Sequence, residues 1–147
     1  MEDQLRAFMS GASSSNAISQ VNLDNEMGTT VKPPKLMSMD EYEAWKEKFT
    51  YWVQAMHFAG WVSIERGYTV PMNESNQVLE KYNYSTTQKE EYIAEKKMIS
   101  LIQQSVKEDI LILLPEYKTA RDLWLSLQKK YMGSAEMIKS KKALILK

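Results

Sequence analysis

The chain has 147 residues, of which 44% are hydrophobic and 26% charged, the balance of an ordinary globular protein. It contains a single histidine and no cysteine. The absence of cysteine excludes a disulfide framework, a thiolate zinc site and a cysteine nucleophile. The 19 basic and 19 acidic residues cancel, although residues 118–147 alone contain 8 basic and 2 acidic residues and have a formal charge of +6.

The first segment, residues 1–35, is rich in Ser, Asn, Gly and Thr, and its apolar residues follow no sustained period. Such a segment buries too little apolar surface to offset the entropy cost of ordering its backbone. We therefore predict a disordered leader over residues 1–35, ending in Pro33-Pro34, and one folded helical domain over residues 36–147.

The folded region begins with Ser38 and, three residues later, Glu41, the spacing of a helix capping box. Apolar residues then recur at steps of three and four, which predicts an amphipathic helix to about Ala59 with Gly60 as its stop. The stripe consists of Tyr42, Trp45, Phe49, Trp52, Val53 and Met56.

Residues 60–86 are the least regular part of the folded region, and we expect Trp61 to pack back on the first helix and a helical turn near Ser75–Lys81. A second capping-box pattern, Thr87 to Glu90, predicts the next helix. Its inward stripe is Ala94, Met98, Leu101, Ile102 and Ser105, and its solvent side is Glu91, Glu95, Lys96 and Lys97.

The segment Val106–Leu114 fits either a short helix or a buried strand. We favour the helix, because no partner strand is evident and an isolated strand leaves its backbone unpaired. Thr119 then caps a further helix, which we expect Gly133 to stop before Ser134 begins a last helix that looks truncated at Lys147.

Together these elements predict an all-α fold, a compact orthogonal bundle of about five helices. Large apolar residues at the inward positions are the expected core anchors. They are Tyr42, Trp45, Phe49, Trp52, Trp61, Ile102, Leu123, Trp124, Leu127 and Tyr131.

The sequence gives little support to an enzyme, because it has no Gly-rich phosphate loop, no His pair at metal spacing and no nucleophile elbow. His57 has no catalytic partner placed by a motif, so a packed histidine is the simpler interpretation. We therefore predict no catalytic, cofactor-binding or metal-binding residue and no small-molecule substrate.

The basic C-terminal segment is the one candidate for contact with nucleic-acid phosphates, through Lys129, Lys130, Lys139, Lys141 and Lys142. A solvated helix face is the simpler interpretation, because these lysines lack the interleaved aromatic residues of a single-strand binder.

The order and spacing of the core residues resemble the amino-terminal half of the Gag capsid region of plant copia-type LTR retrotransposons, over roughly Pro34 to Lys147. The most specific parts are Tyr42-x-x-Trp45 and the element Thr119-Ala120-x-x-x-Trp124, which is followed by Leu127 and Tyr131. Leu36, Phe49, Trp52, Trp61, Met98, Ile102, Ser105, Gly133-Ser134 and Leu144 complete the pattern.

This resemblance implies an all-helical capsid domain whose partner is itself, assembling into virus-like particle shells around the RNA of the element. Weak RNA contact would use the basic C-terminal segment. Two alternatives remain open: a nucleic-acid-binding module that uses the lysine-rich end, and a domesticated Gag-derived adaptor that binds a partner peptide in a helical groove.

We expect an intracellular, cytoplasmic protein that contacts no membrane. The longest apolar run, Ile110–Leu114, is far shorter than the ~20 residues that span a bilayer. The chain begins Met1-Glu2-Asp3, without the basic start and apolar stretch of a secretory signal.

Overall fold

The computed structural model describes the backbone of residues 13–145 and the side chains of residue 17 and residues 19–134. The α-helices in this range are α1 (Ser13–Met27), α2 (Tyr42–Met56), α3 (Phe58–Arg66), α4 (Thr86–Ser105), α5 (Glu108–Leu111) and α6 (Ala120–Ile145). Residues 13–145 form no strand, and their β pairing is confined to two isolated bridges. The predicted all-α class is therefore confirmed.

The core lies where α2, α3, α4 and α6 meet. Every predicted anchor is buried except Trp61 and Tyr131, which are partly buried and pack against the core. The residues spaced three and four apart in the sequence therefore lie on the buried faces of these helices. None of the helices described is long and apolar enough to cross a bilayer.

The predicted stop at Gly60 is wrong, because the first long helix ends earlier, at Met56. His57 leaves the helical conformation with a φ of −146°, and α3 starts at Phe58 and includes Gly60. A Cβ atom at Gly60 would lie 3.0 Å from the Met98 sulfur. The glycine thus allows α3 to approach α4 closely.

The start signals are also displaced from their predicted positions. Ser38 caps a 3-10 turn, Met39–Glu41, that precedes α2. The capping box of α4 is formed by Ser85 and Gln88, two residues before the predicted one, with backbone to side-chain distances of 2.9 and 3.1 Å. The expected turn near Ser75–Lys81 is wrong too, because Met72 and Val78 pair as a bridge and the 3-10 turn follows at Lys81–Asn83.

At the C-terminal side, the predicted short helix is present as α5, but the predicted break at Gly133 is wrong. Helix α6 runs through Gly133 and Ser134 without interruption. A glycine inside a helix costs only about 1 kcal/mol relative to alanine, which is too little to end a helix unless the residue takes a left-handed conformation. Gly133 has no positive φ.

The disordered leader predicted for residues 1–35 is wrong from Ser13 onwards, while residues 1–12 lie outside the described residues. Helix α1 is followed by the segment Gly28–Leu36, which we call the strap. The indole nitrogens of Trp52 and Trp45 donate to the carbonyl oxygens of Thr29 (2.5 Å) and Pro34 (3.0 Å). Leu36 is fully buried.

Backbone hydrogen bonds fix the end of the strap. The Leu36 amide donates to the Ser105 carbonyl (2.6 Å), and the Leu36 carbonyl accepts from the Lys107 amide (3.0 Å). An ion pair between Glu26 and Lys48 (2.8 Å) joins α1 to α2. These contacts follow no period along the chain, so a search for periodicity does not detect them.

Candidate functional site

The two most specific parts of the sequence pattern meet in a set of aromatic rings that contact one another. The centroid of the Trp124 ring lies 5.7 Å from Trp45, 5.6 Å from Phe49 and 5.8 Å from Trp61, which meets it edge-on at 88°. Tyr42 stacks on Tyr131 at 4.7 Å. We call these six rings the aromatic cluster. Each such pair contributes about 0.5–1.5 kcal/mol beyond the burial of its area.

Tyr42 lies at the edge of this cluster and is 2% exposed. Its hydroxyl group is buried and has no hydrogen-bond partner. Burial, followed by the neighbouring Tyr131, raises the pKa of Tyr42 from 10.0 to about 12. The hydroxyl therefore stays protonated at neutral pH.

A buried carboxylate joins α3, α4 and α6. Glu95 is 1% exposed, so the prediction that it lies on the solvent side of its helix is wrong. One carboxylate oxygen accepts from the Ala120 amide (2.7 Å), and the other accepts from the Ser63 hydroxyl (3.3 Å). The carboxylate thus satisfies the first amide of α6, at the positive end of the helix dipole.

The same junction is closed from the other side by Arg121. Its guanidinium donates to the carbonyl oxygens of Ile64 (2.8 Å) and Glu65 (2.6 Å), in the last turn of α3. A cation at this end of a helix stabilises the carbonyl groups that have no partner within the helix. We call Ser63, Ile64, Glu95, Ala120 and Arg121 the carboxylate junction.

The spacing of Glu95 along its helix indicates that it is buried, but its charge indicates that it is exposed. Glu95 precedes Met98, Ile102 and Ser105 by three, seven and ten residues, which places it on the buried stripe. Charged residues are rarely buried unless they are paired, so it was assigned to solvent. Its partners, Ser63 and the Ala120 amide, are distant in sequence and follow no motif.

The candidate nucleic-acid contacts all lie on α6. Lys129 is exposed and Lys130 partly exposed. The backbone of Lys139, Lys141 and Lys142 continues α6, but their side chains lie outside the described residues. The proposed contact of these five lysines with RNA stays a prediction.

His57 lies between α2 and α3, with its ring 5.5 Å from the ring of Trp52. Burial and the charge of Lys97 lower the pKa of His57. Among the side chains that the structure describes, no group of three or more His, Asp or Glu residues is arranged to hold a metal ion.

Both described clusters hold helices in place, and neither forms an open cleft on which polar groups converge. The comparisons of this chain with family models, with curated proteins and with solved structures found no match.

Proposed function

We propose that this chain is a structural Gag capsid-like domain of the copia type, which self-associates into virus-like particle shells that enclose RNA in the cytoplasm. The main support is the contact between the two specific motifs. Tyr42 from the first motif stacks on Tyr131 from the second, and the rings of Trp45 and Trp124 meet at a tilt of 40°. These four residues, which belong to the most specific parts of the resemblance, thus lie in the core or pack against it.

The surface of the protein supports the same proposal. Several large apolar side chains on different elements are more than half exposed, although sixteen other apolar residues are buried in one core cluster. A shell built from many copies needs a rigid unit with several weak contact surfaces, because repetition multiplies small contact energies. These exposed residues include Tyr51, Phe58, Ile93, Ile112 and Leu113.

The test is the mass of the purified chain as its concentration rises, measured by light scattering, together with electron microscopy of the same samples. We expect the mean mass to increase with concentration and closed particles to appear at the highest concentrations. Adding RNA before assembly should yield particles that protect it from nuclease. A chain that stays monomeric throughout would contradict the proposal.

A further inference from the structure

Helices α3 and α4 leave an apolar groove between them. We call it the α3–α4 groove; its volume is about 250 Å³. Ile93, on its wall, is 61% exposed. The residues that line it include Gly60, Glu90, Ile93, Lys97, Met98 and Leu101.

A second exposed apolar feature follows α5, beyond the C-terminal end of α4. In the turn that follows α5, Ile112 is 72% exposed and Leu113 is 65% exposed. The backbone of this turn is held in place, since the Ile112 amide donates to Glu108 (3.0 Å) and the Leu113 amide to Ile110 (3.2 Å). We call Ile112 and Leu113 the knob.

We propose that the knob of one copy inserts into the α3–α4 groove of a second copy. The inference rests on the proposed self-association and names the contact that produces it. Within one copy the knob does not line the groove, because the groove is formed by residues of α3 and α4 whereas the knob follows α5 and its backbone is held there by the two hydrogen bonds above.

Charges around the two features favour this pairing. Glu108, beside the knob, is exposed, whereas the neighbouring Asp109 already pairs with Lys107 at 3.3 Å. Lys97 at the groove is exposed and forms no ion pair within residues 19–134, and its charge contributes to the lowered pKa of His57.

The acidic residue in the groove, Glu90, lies two helical turns from Lys97, about 10 Å along α4. The groove therefore has a positive and a negative end. This polarity selects one register, in which Glu108 of the knob faces Lys97.

Since the knob and the groove are different surfaces, the contact is head-to-tail, and each copy that joins leaves one knob and one groove free. Such a contact repeats until the copies close into a ring, or continues as an open filament if they do not close. A closed shell needs at least one further contact between such rings.

The test uses two single variants of the full chain, Leu113→Asp in the knob and Ile93→Asp in the groove. Each should raise the dissociation constant of self-association about tenfold or more, because a charge replaces an apolar side chain in the contact. Sedimentation velocity over a concentration series measures this constant. The matched control is Val78→Asp, at an exposed apolar residue outside both features, which should leave it unchanged.

A mixture of the two variants gives the sharper result. Each variant keeps one intact surface, so Leu113→Asp and Ile93→Asp should form a one-to-one dimer that does not grow further. Lys97→Glu and Glu108→Lys should each weaken association, and the two changes in one chain should restore it. Circular dichroism checks that each variant retains its helices.

The outcomes separate this inference from the proposed function. A wild-type chain that associates while both aspartate variants associate equally well overturns the inference and leaves the proposed function standing. A mixture that stays monomeric, or an effect of Ile93→Asp without one of Leu113→Asp, also overturns it, because another segment or partner then occupies the groove. A wild-type chain that never associates contradicts both.

Discussion

The aromatic cluster and the carboxylate junction both hold α6 against the other helices, but by opposite means. In the cluster, Trp124 meets several rings at centroid distances of 5.6–5.8 Å, and no single contact fixes the geometry. In the junction, the two oxygens of Glu95 are each committed to one donor. The free energy gained from apolar packing is roughly proportional to the area buried. The free energy gained from a buried hydrogen bond is lost when either partner is absent.

The difference implies two kinds of sensitivity. A change in the cluster should cost free energy in proportion to the volume removed, because neighbouring rings relax only partially into the space. A change in the junction should cost an amount set by the groups left without partners, whatever the size of the side chain. Four substitutions test this distinction.

The largest effect is expected from Trp124→Ala. Removing this side chain leaves a cavity among Trp45, Phe49 and Trp61 and should lower the free energy of unfolding by about 3–5 kcal/mol. Urea denaturation followed by circular dichroism measures the loss. Leu125→Ala, at the adjacent and 44% exposed position, is the control and should change it by less than about 0.5 kcal/mol. Equal losses of free energy at the two positions would show that the aromatic cluster does not stabilise the fold more than a surface residue does.

The next largest effect is expected from Glu95→Ala, at about 2–3 kcal/mol, because the Ala120 amide and the Ser63 hydroxyl lose their acceptor. Glu95→Gln should recover part of the loss, since its amide oxygen can still accept from Ala120. The control is Glu91→Ala, an exposed residue one turn earlier on α4. If Glu91→Ala proved as costly as Glu95→Ala in the same denaturation experiment, the junction would not be what stabilises α6.

A smaller effect, about 1 kcal/mol, is expected from Arg121→Ala, which removes two hydrogen bonds to carbonyl oxygens near the end of α3. Hydrogen exchange should show faster opening of the last turn of α3, while α2 stays unchanged. Lys118→Ala, an exposed cation close in sequence, should leave both helices as they are. Uniformly faster exchange in α2 and α3 would contradict a local role for Arg121.

The smallest effect at neutral pH is expected from Tyr42→Phe, because the hydroxyl that it removes has no partner. The free energy of unfolding should change by less than about 0.5 kcal/mol. The alkaline range should distinguish the two proteins. The pKa of Tyr42 is raised from 10.0 to about 12 in the folded state, so the unfolded chain loses its proton first and stability falls as pH rises from about 10 to about 12.

Denaturation of wild type and Tyr42→Phe at pH 7 and across this range measures the difference. The variant should lose less stability, because one of the tyrosines that must ionise is absent. Parallel curves for the two proteins would show that Tyr42 ionises as easily in the folded state as in the unfolded state.

The aromatic cluster was predictable because its members repeat at the helical period. Tyr42, Trp45, Phe49 and Trp124 were assigned to the core from spacing alone, and the structure places them there. The carboxylate junction was not predictable in the same way. The spacing of Glu95 indicated burial, but its charge indicated solvent, and its partners come from elements distant in sequence.

Gly60 and Gly133 show a second limit of sequence patterns. Both follow a helical stretch and both were predicted to end it, yet each lies inside a helix. Whether a glycine ends a helix depends on the conformation that its surroundings impose. Neither glycine has a positive φ; a Cβ atom at Gly60 would lie 3.0 Å from the Met98 sulfur, whereas one at Gly133 would lie within 4 Å of no neighbouring atom outside its own helix backbone.

The strap has a consequence for how this protein can change over evolutionary time. The indoles of Trp45 and Trp52 bind it through the carbonyl oxygens of Pro34 and Thr29, and every amino acid has a carbonyl oxygen. Exposed residues such as Thr30 and Val31 can therefore be substituted while the two hydrogen bonds to the indoles are kept. Related chains could therefore differ widely in the sequence of the strap and still bind it at the same position.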